Sequence, residues 1–417
     1  MFDYAVFWEW LTFAVRWAHV IAAIGWIGTS FYFIALDLGL RQREGMPEGV
    51  RGEEWQVHGG GFYHVQKYMI APPSMPEHLT WFKWESYATW LTGFAMLCVL
   101  YYAGAELYLI DANVLDLSRP AAIGISVGSL IIGWVIYDLI CRSPAGKSDI
   151  GLMLILYAVL VAMAWGYTQI FSARAAFLHL GAFTATIMTA NVAMIIMPNQ
   201  RKVVRALKAG EEPEPSLGAQ AKQRSLHNNY LTLPVIFMML AMHNPLAFAT
   251  EYNWVIASLV FLMGVTIRHY FNTYHAHKGV LIWPWIATLA IFAVITVISA
   301  LGTTRAADTD ASGQAAISQP NLLRLMNDPE FENVRDLLGY QCVMCHASEP
   351  GWPGMATAPK GVSFDSPEQI ARHAHDIYIQ AGLTRAMPPA SAAIMDESER
   401  RLIVRWYEGA SRAGEGG

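Results

Sequence analysis

The sequence has few charged residues for its length. Only 15% of its 417 residues are Asp, Glu, Lys or Arg, whereas 54% are hydrophobic, and the mean hydropathy is +0.30. This composition is too apolar for an ordinary soluble protein and indicates a polytopic membrane protein. The net charge of −5 is small, and the basic residues form short, separate clusters without interleaved aromatics. A nucleic-acid partner is therefore not expected.

The N-terminus, MFDYAVFWEW, lacks the basic segment that opens a cleavable signal peptide. Its first apolar run is long enough to stay in the bilayer, so we expect an uncleaved anchor. Cysteines are also scarce, and two of the four, Cys98 and Cys141, lie in apolar runs. A single cysteine in such a run is usually a small buried hydrophobe.

Long apolar runs are what the sequence has in quantity. A helix needs about 20 such residues to cross a bilayer. Eight runs qualify, and they predict an all-α membrane bundle: 9–38, 83–104, 121–141, 150–170, 174–197, 229–247, 253–270 and 281–302. The sixth contains Pro234 and soon reaches His243 and Asn244, so we expect it to be short, kinked or partly lining a cavity.

Basic residues near the ends of these runs predict the orientation of the bundle. They concentrate in the odd-numbered loops, whereas the even-numbered loops offer only Arg119 and Arg174. The odd loops carry Arg41, Arg43, Arg51, Lys67, Lys83, Arg142, Lys147, Arg201, Lys202, Arg205, Lys208, Lys222, Arg224, Arg268 and Lys278. These loops should be cytoplasmic, with both termini outside the bacterial inner membrane.

The composition divides the chain into a membrane part at 1–302, a flexible linker rich in Ala, Thr, Ser and Gly at 303–320, and a compact domain at 321–417. The compact domain contains CVMCH, in which Cys342 and Cys345 are followed at once by His346. This motif predicts one covalent haem c, with His346 as the iron ligand. Haem attachment outside the cytoplasm agrees with the predicted orientation.

A small class I cytochrome c needs a second iron ligand from a later loop. Met387, in TRAMPPAS, is the candidate, and His373 and His375 compete with it. The two histidines lie on a segment that looks like a middle helix, so we interpret them as surface residues. A structural zinc or a redox cysteine pair is the alternative for CVMCH, but no second ligand pair accompanies it.

Several strings of the membrane part resemble one known family. They are WFKWESYATWLTGF at 81–94, TANVAMIIMPNQRK at 189–202, HNNYLTLPVIFMML at 227–240 and RHYFNTYH at 268–275, followed by CVMCH and the later MPP. Together, in this order, they resemble the integral-membrane urate oxidases (urate hydroxylases) with a C-terminal cytochrome c domain. The resemblance covers essentially the whole chain. It implies that urate and water become 5-hydroxyisourate, with electrons passed to haem and no hydrogen peroxide formed.

Urate chemistry suggests which polar residues to consider. A planar, weakly acidic purine needs a cation, amides for its edges, an aromatic face and a base. Arg268 or Lys83 can hold the anion, Trp84 or Tyr230 can stack, and Glu85 or His275 can take a proton. Asn191, Asn228 and Asn229 can read the edges. The alternative is that these residues only stabilise the membrane part. The cations would extend their charged ends to the membrane surface, the aromatics would lie at the membrane–water interface, and the amides would bond neighbouring helices together.

Electrons from an inner urate site must cross a hydrocarbon core of roughly 30 Å to reach a haem outside. Intramembrane histidines could ligate one or two b-type haems on the way. His19 and His179 form the predicted outer pair, and His227 and His269 are the inner candidates. Alternatively, these histidines are hydrogen-bonded core residues or proton carriers.

Two other functions remain open at this stage. The same haems would serve a quinol-linked membrane dehydrogenase or a non-catalytic electron-transfer subunit. Beyond urate and the lipid bilayer, a soluble cytochrome c or a terminal oxidase is the expected partner that accepts the haem c electrons.

Overall fold

The chain folds mainly into helices, as a computed structural model shows. The structure describes residues 4–72, 74–111, 114–248, 250, 252–301, 319–353, 355, 358–359, 362–389 and 393–412. The predicted linker at 303–320 lies outside these residues, apart from its last two.

The N-terminal part contains eleven of the described helices and one β-hairpin. The helices are α1 (Tyr4–Gly39), α2 (Trp84–Leu97), α3 (Ala105–Tyr108), α4 (Arg119–Arg142), α5 (Asp149–Thr168), α6 (Ala173–Ala190), α7 (Met197–Lys208), α8 (Pro215–Ala241), α9 (Pro245–Phe248), α10 (Asn253–His275) and α11 (Trp283–Leu301). The hairpin strands are β1 (Val50–His58) and β2 (Gly61–Tyr68).

Five described helical segments are long and apolar enough to cross a membrane, in agreement with five of the eight predicted runs. They are Trp10–Gly39, Arg119–Arg142, Asp149–Thr168, Ala173–Lys208 and Asn253–His275. The other three runs also contain helices. However, α2 is only 14 residues long, the polar first half of α8 lies outside the run, and the apolar part of α11 is shorter, Trp283–Ser299. The total of eight spans stays a prediction.

Helix α6 is the centre of the bundle, and most of its residues are buried. The helices of the bundle pack closely on each other at glycines. A β-carbon on Gly133 of α4 would lie 1.9 Å from a ring carbon of Phe183. Likewise, a β-carbon on Gly264 of α10 would lie 2.5 Å from Cδ of Pro234, the proline inside α8. These contacts fix how far the polar residues on neighbouring helices are from each other.

The β-hairpin corrects the expectation of a purely helical chain. β1 and β2 pair antiparallel, with His58 opposite Gly61. The two residues between them, Gly59 and Gly60, both have positive φ, at 59° and 80°. A two-residue turn with positive φ at both positions suits the twist of a hairpin, and Gly-Gly is one of its sequence signals. The Gly-Gly signal is present in the sequence, within a loop between two apolar runs.

One face of the hairpin is held together around a buried carboxylate. Glu53 accepts hydrogen bonds from Arg43, from Gln66 Nε2 at 3.2 Å and from His64 Nε2 at 2.8 Å. The His64 ring stacks on Trp55, with 4.2 Å between ring centroids. The Arg43 guanidinium, followed by His64, lowers the pKa of Glu53 from its ordinary 4.5 to about 2.

We expect Glu53→Gln to loosen the hairpin in a pH-dependent way. Since the folded pKa lies below the ordinary value of 4.5, the carboxylate stabilises the fold fully above that pH. The contribution is lost as the pH falls from there towards 2. Hydrogen-exchange protection of the strand amides, corrected for intrinsic rates, should be higher in the native chain than in Glu53→Gln at pH 7. Near pH 2 the protection should be equal in the two proteins. Equal protection at pH 7 would contradict this assignment.

The C-terminal part forms a small helical domain. Its helices are α12 (Gln319–Asn327), α13 (Phe331–Gln341), α14 (Pro367–Arg372), α15 (Ala374–Ile377) and α16 (Glu397–Arg412). Trp406 of α16 is fully buried, packs on Phe331 and donates a hydrogen bond from Nε1 to the Leu325 carbonyl oxygen at 2.9 Å. These contacts join the first and last helices of the domain in one core.

Candidate functional site

A buried polar pocket lies where α8 and α10 meet α1. Asn272 Oδ1 accepts two hydrogen bonds, one from Arg268 NH2 and one from Asn229 Nδ2, both at 3.1 Å. The guanidinium carbon of Arg268 lies 4.1 Å from the ring centroid of Phe31 on α1. Arg268 is 4% exposed and Asn229 is fully buried, so this cation is held away from solvent without a carboxylate bonded to it among the described residues.

Several atoms of this pocket have no hydrogen-bond partner in the part of the chain that the structure describes. They are Arg268 Nε, Asn229 Oδ1, His275 Nδ1 and Glu54 Oε2. A buried polar atom without a partner costs about 1–3 kcal/mol, and more when it is charged. Unpaired donors and acceptors on α8, α10 and β1 therefore leave hydrogen-bonding capacity for a polar ligand or water.

Glu54 of the hairpin lies at the junction between the ends of α1 and α10. An ideal β-carbon on Gly39, the last residue of α1, would lie 3.0 Å from Glu54 Oε2 and 3.9 Å from the His275 carbonyl oxygen. The charged and titratable groups close enough to influence His275 are Arg268, Glu54 and His277. Tyr230, adjacent to Asn229, is close enough to influence Arg268. The structure thus brings together Arg268, His275, Asn229 and Tyr230 from the predicted set.

Asn191 and Asn228 lie in a second polar network. Asn191 Nδ2 donates to Tyr137 Oη at 2.9 Å and to Asn228 Oδ1 at 3.1 Å, and Asn228 Nδ2 donates to the Met188 carbonyl oxygen at 2.9 Å. His227 Nδ1 lies 2.7 Å from Tyr137 Oη. Asn191 opens the π-helical turn Asn191–Ile196, which follows α6. Neighbouring asparagines of α8 thus face different partners, Asn228 towards α6 and Asn229 towards α10.

A buried ion pair borders this second network. Arg224 NH2 and Arg142 Nε each lie 2.7 Å from a carboxylate oxygen of Asp138. The Arg224 guanidinium also lies over the Tyr137 ring, at 4.9 Å from its centroid. Since these contacts join α4 to α8, they hold the polar groups of the network in register.

The remaining predicted substrate residues lie at the start of α2. Trp84 is 65% exposed, and Lys83 Nζ lies 5.7 Å from the centroid of its ring. Glu85 is half-buried, with Oε2 lacking a partner among the described residues. No contact described here joins Lys83 or Trp84 to Arg268. Their roles in binding stay predictions, and the exposure of Trp84 suits an interfacial aromatic.

A cleft lies beside His19 in the N-terminal part. It has about 580 Å³ of space, part of it open to solvent, and its lining includes His19, Trp90, Gly93, Phe94, Met96 and Met239. His19 Nδ1 lies 3.1 Å from the Thr89 carbonyl oxygen. A carbonyl only accepts, so Nδ1 carries the proton in the neutral ring and the lone pair is on Nε2. This tautomer is the one a metal-binding histidine adopts when a carbonyl orients it.

The other predicted intramembrane histidines have different surroundings. His179 is fully buried, with Nδ1 donating to the Ala175 carbonyl oxygen and Nε2 bonded to Ser126 Oγ, both at 2.7 Å. Ligation of iron by His179 would require one of these bonds to break, and His179 is not among the residues that line the cleft. His269 packs against Trp283, with 5.4 Å between ring centroids. The predicted pairings of these histidines stay untested.

The predicted haem c ligands lie together in the C-terminal domain. Cys342 and Cys345 are free thiols, one turn apart at the end of α13. His346 donates from Nδ1 to the Val362 carbonyl oxygen at 2.9 Å, which leaves Nε2 for a metal. The His346 ring stacks on Phe364 at 5.1 Å. Two free thiols and an oriented imidazole fit covalent haem attachment.

The loop that carries Met387 is fixed by one arginine. Arg400 NH1 donates to the carbonyl oxygens of Ala381, Thr384 and Met387 at 2.7, 3.0 and 3.0 Å. Met387 packs on the core of the domain. In contrast, His375 is exposed and its Nδ1 lies 3.0 Å from Tyr407 Oη, and His373 Nδ1 lies 3.7 Å from Asp376 Oδ2. Met387 is thus held in a fixed loop, whereas His375 faces solvent.

Within the described residues, no group of three or more His, Cys, Asp or Glu side chains is placed to hold a metal ion. A haem iron takes at most two protein ligands. A haem site therefore does not need a group of three such side chains.

Sequence reasoning missed Glu54, Phe31 and the hydrogen-bonding role of Asn272. Glu54 lies in a loop between predicted spans, where charged residues are common and carry no signal of their own. Phe31 is one of many aromatics in α1. Only its position beneath Arg268 distinguishes it.

The N-terminal part thus combines helices suited to a membrane with a buried polar cluster between them, which defines the class of helical bundle proteins with polar groups in their interior. Residues 5–299 match the family described as urate oxidase, N-terminal, so the chain belongs to that family. The family points to an oxidoreductase acting on urate. Neither the curated proteins nor the solved structures contain a match to this chain.

Proposed function

We propose that this chain is a membrane-bound urate oxidase that converts urate to 5-hydroxyisourate and passes the electrons to its own haem c, without forming hydrogen peroxide. The observation that carries the proposal is the urate oxidase family match over residues 5–299. The pocket around Arg268 supports it, because it offers unpaired buried groups of the kinds that urate needs.

The pocket suits a planar anion. Arg268 offers an unpaired Nε to an anionic oxygen or nitrogen, and hydrogen bonds to a charged group are the strong ones. Asn229 Oδ1 can accept from a ring N–H. His275, half-buried at the end of α10, offers Nδ1 for a proton. Phe31 holds the Arg268 guanidinium from one side and leaves its edge for the substrate.

The overall reaction balances for the urate monoanion. Urate monoanion and one water yield 5-hydroxyisourate, one proton and two electrons. The bond that forms joins the water oxygen to C5 of the purine, and one O–H bond of that water breaks. The pocket residues bind the anion, orient its edges and take up the proton, while the electrons leave one at a time to haem.

The C-terminal domain provides the electron acceptor in this proposal. Haem, when bound, supplies one-electron redox chemistry. Cys342 and Cys345 would hold it covalently, with His346 and Met387 as iron ligands. Arg400 positions the backbone of the Met387 loop. Electrons would then pass to a soluble cytochrome c or a terminal oxidase.

An intramembrane relay belongs to the same proposal. With eight spans, both termini outside the inner membrane and the cytochrome domain periplasmic, electrons cross roughly 30 Å of hydrocarbon. His19 is the best candidate to ligate a b-type haem, because its Nε2 lone pair is free of the carbonyl bond and its ring lines an open cleft. His179, His227 and His269 are weaker candidates. A haemochrome spectrum with only c-type haem, at one per chain, would reject the relay.

Anaerobic addition of urate to the purified protein tests the function. We expect the haem c absorption bands to shift to the reduced form within seconds, and 5-hydroxyisourate to appear with two electrons delivered per molecule. Reduction by quinol but not by urate would instead indicate a quinol-linked dehydrogenase or an electron-transfer subunit. Xanthine, a purine without the 8-oxo group, is the matched control and should leave the haem oxidised.

A further inference from the structure

The hairpin presents two adjacent glutamates to entirely different surroundings. Glu53 and Glu54 are neighbours in β1, so their side chains point to opposite faces of the two-stranded sheet. The Glu53 carboxylate accepts hydrogen bonds from Arg43, His64 and Gln66. Glu54 has one bond, from Gln56 Nε2 to Oε1 at 3.2 Å, and its Oε2 is buried without a partner among the described residues.

The face that carries Glu54 is docked on the end of α1. Tyr32 Oη donates to Gln56 Oε1 at 2.6 Å, and Lys67 Nζ lies 2.6 Å from Asp37 Oδ2. Gln56 and Lys67 belong to the same face of the hairpin as Glu54, since Gly52 pairs with Lys67 and Glu54 with Val65. These two contacts are on either side of Glu54 and fix it against the last turn of α1.

The absence of a side chain at Gly39 creates the space into which the Glu54 carboxylate projects. Oε2 would be 3.0 Å from a β-carbon there, which is closer than nearly all real contacts. The same position is 3.9 Å from the His275 carbonyl oxygen. Glu54 is also one of the charged groups close enough to influence His275. Glu54 Oε2 and His275 Nδ1 thus lie on neighbouring elements at the junction of α1 and α10, each without a hydrogen-bond partner among the described residues.

We propose that Glu54 is a catalytic residue that accepts the proton of the water attacking C5 of urate, with His275 as its partner in passing that proton on. This inference rests on the proposed function and adds a residue to it. The two electrons of the oxidation leave urate separately for the haem acceptor, which makes C5 electrophilic. The water oxygen then forms the bond to C5, its O–H bond breaks, and the proton goes to Glu54 Oε2.

The hairpin allows a charged carboxylate to lie beside the membrane helices. A carboxylate on a transmembrane helix is costly to keep charged, whereas a strand that folds back on the end of a helix brings one in from the aqueous side. The charged and titratable groups of the surrounding elements are Arg268, His275, His277, Asp37, Lys67 and Glu53. Arg268 binds the anion on one side of the substrate, and Glu54 takes the proton at another.

The test compares Glu54→Gln with the native chain in the anaerobic reduction of haem c by urate. A general base contributes about 10²–10⁴-fold to a rate, so we expect at least an approximately 100-fold slower reduction in the variant, with unchanged haem c content. The rate of haem c reduction by the native protein should fall as the pH is lowered. This fall, the low-pH limb of the pH–rate profile, should be absent from Glu54→Gln. Glu54→Asp should restore part of the rate and the limb.

Three further variants separate chemistry from structure. Glu44→Gln removes the same charge from an exposed position in the same loop and should behave as native. Glu53→Gln loosens the hairpin and should lower the rate at every pH, but it should keep the fall in rate at low pH. Gly39→Ala displaces the carboxylate without removing it and should slow reduction while retaining the native haem spectrum.

Two outcomes would overturn the proposal. The first is a Glu54→Gln variant that reduces haem c at the native rate over the whole pH range. The second is loss of the low-pH limb in Glu85→Gln but not in Glu54→Gln, which would make Glu85 the base. If urate fails to reduce haem c in the native protein, the proposed function itself is wrong, and that result is distinct from both.

Discussion

Replacement of both Cys342 and Cys345 by serine is expected to leave the chain without covalently bound haem and to abolish urate-dependent electron transfer. The thioether bonds need both thiols, and serine offers no sulfur to form them. Haem staining after denaturing electrophoresis should be negative for the variant. Urate consumption with an added cytochrome c should fall to background.

Cys98→Ser is the matched control for this loss. Cys98 follows α2 within the membrane part and is packed against the apolar core, so the variant removes a thiol without touching the predicted haem site. It should keep its covalent haem and its activity. Persistent covalent haem in the Cys342/Cys345 double variant would contradict the assignment of the motif.

Replacement of Arg268 by Gln is expected to cause the largest loss among the pocket residues. Removing one member of a buried charge interaction typically costs about 2–5 kcal/mol. That corresponds to roughly 30- to 4000-fold, at about 1.4 kcal/mol per factor of ten. We expect kcat/KM for urate to fall within this range while haem c content and its reduction by dithionite remain native. Arg268→Lys should rescue little, since lysine cannot reproduce the planar guanidinium that stacks on Phe31.

Arg201→Gln provides the charge-matched comparison. Arg201 is an exposed cation of α7, and its removal should change kcat/KM by less than about twofold, as expected for an exposed charge. Native kinetics in the Arg268 variant would show that the anion binds elsewhere, with Lys83 as the next candidate.

Most of the helices could be predicted because their cause is local. A run of apolar residues predicts a span wherever it occurs, and five such runs match helices long and apolar enough to cross a membrane. The end of each helix was harder to predict. The segment Ala173–Lys208 continues past its apolar part into the basic α7, because hydrogen bonding within a helix does not depend on side-chain polarity.

The pocket was predicted in its residue types but not in its grouping. Asn228 and Asn229 are adjacent and chemically identical, yet one bonds to Asn191 and the other to Asn272. Consecutive residues of a helix point about 100° apart, so they face different neighbours once α6 and α10 are packed on α8. Sequence position alone therefore merged two separate polar networks into one site.

By itself, the sequence determined the apolar character of the chain, the candidate spans, the CVMCH motif and the family to which the first 299 residues point. Each of these depends on residues close together in the chain. Only the tertiary structure decided that Arg268 and Asn229 share a bond to Asn272, that Asn191 bonds to Asn228 and Tyr137, and that Glu54 lies against the end of α1. Those groupings depend on which helix faces meet and on a hairpin folded back against α1, and both are set by packing between residues far apart in the sequence.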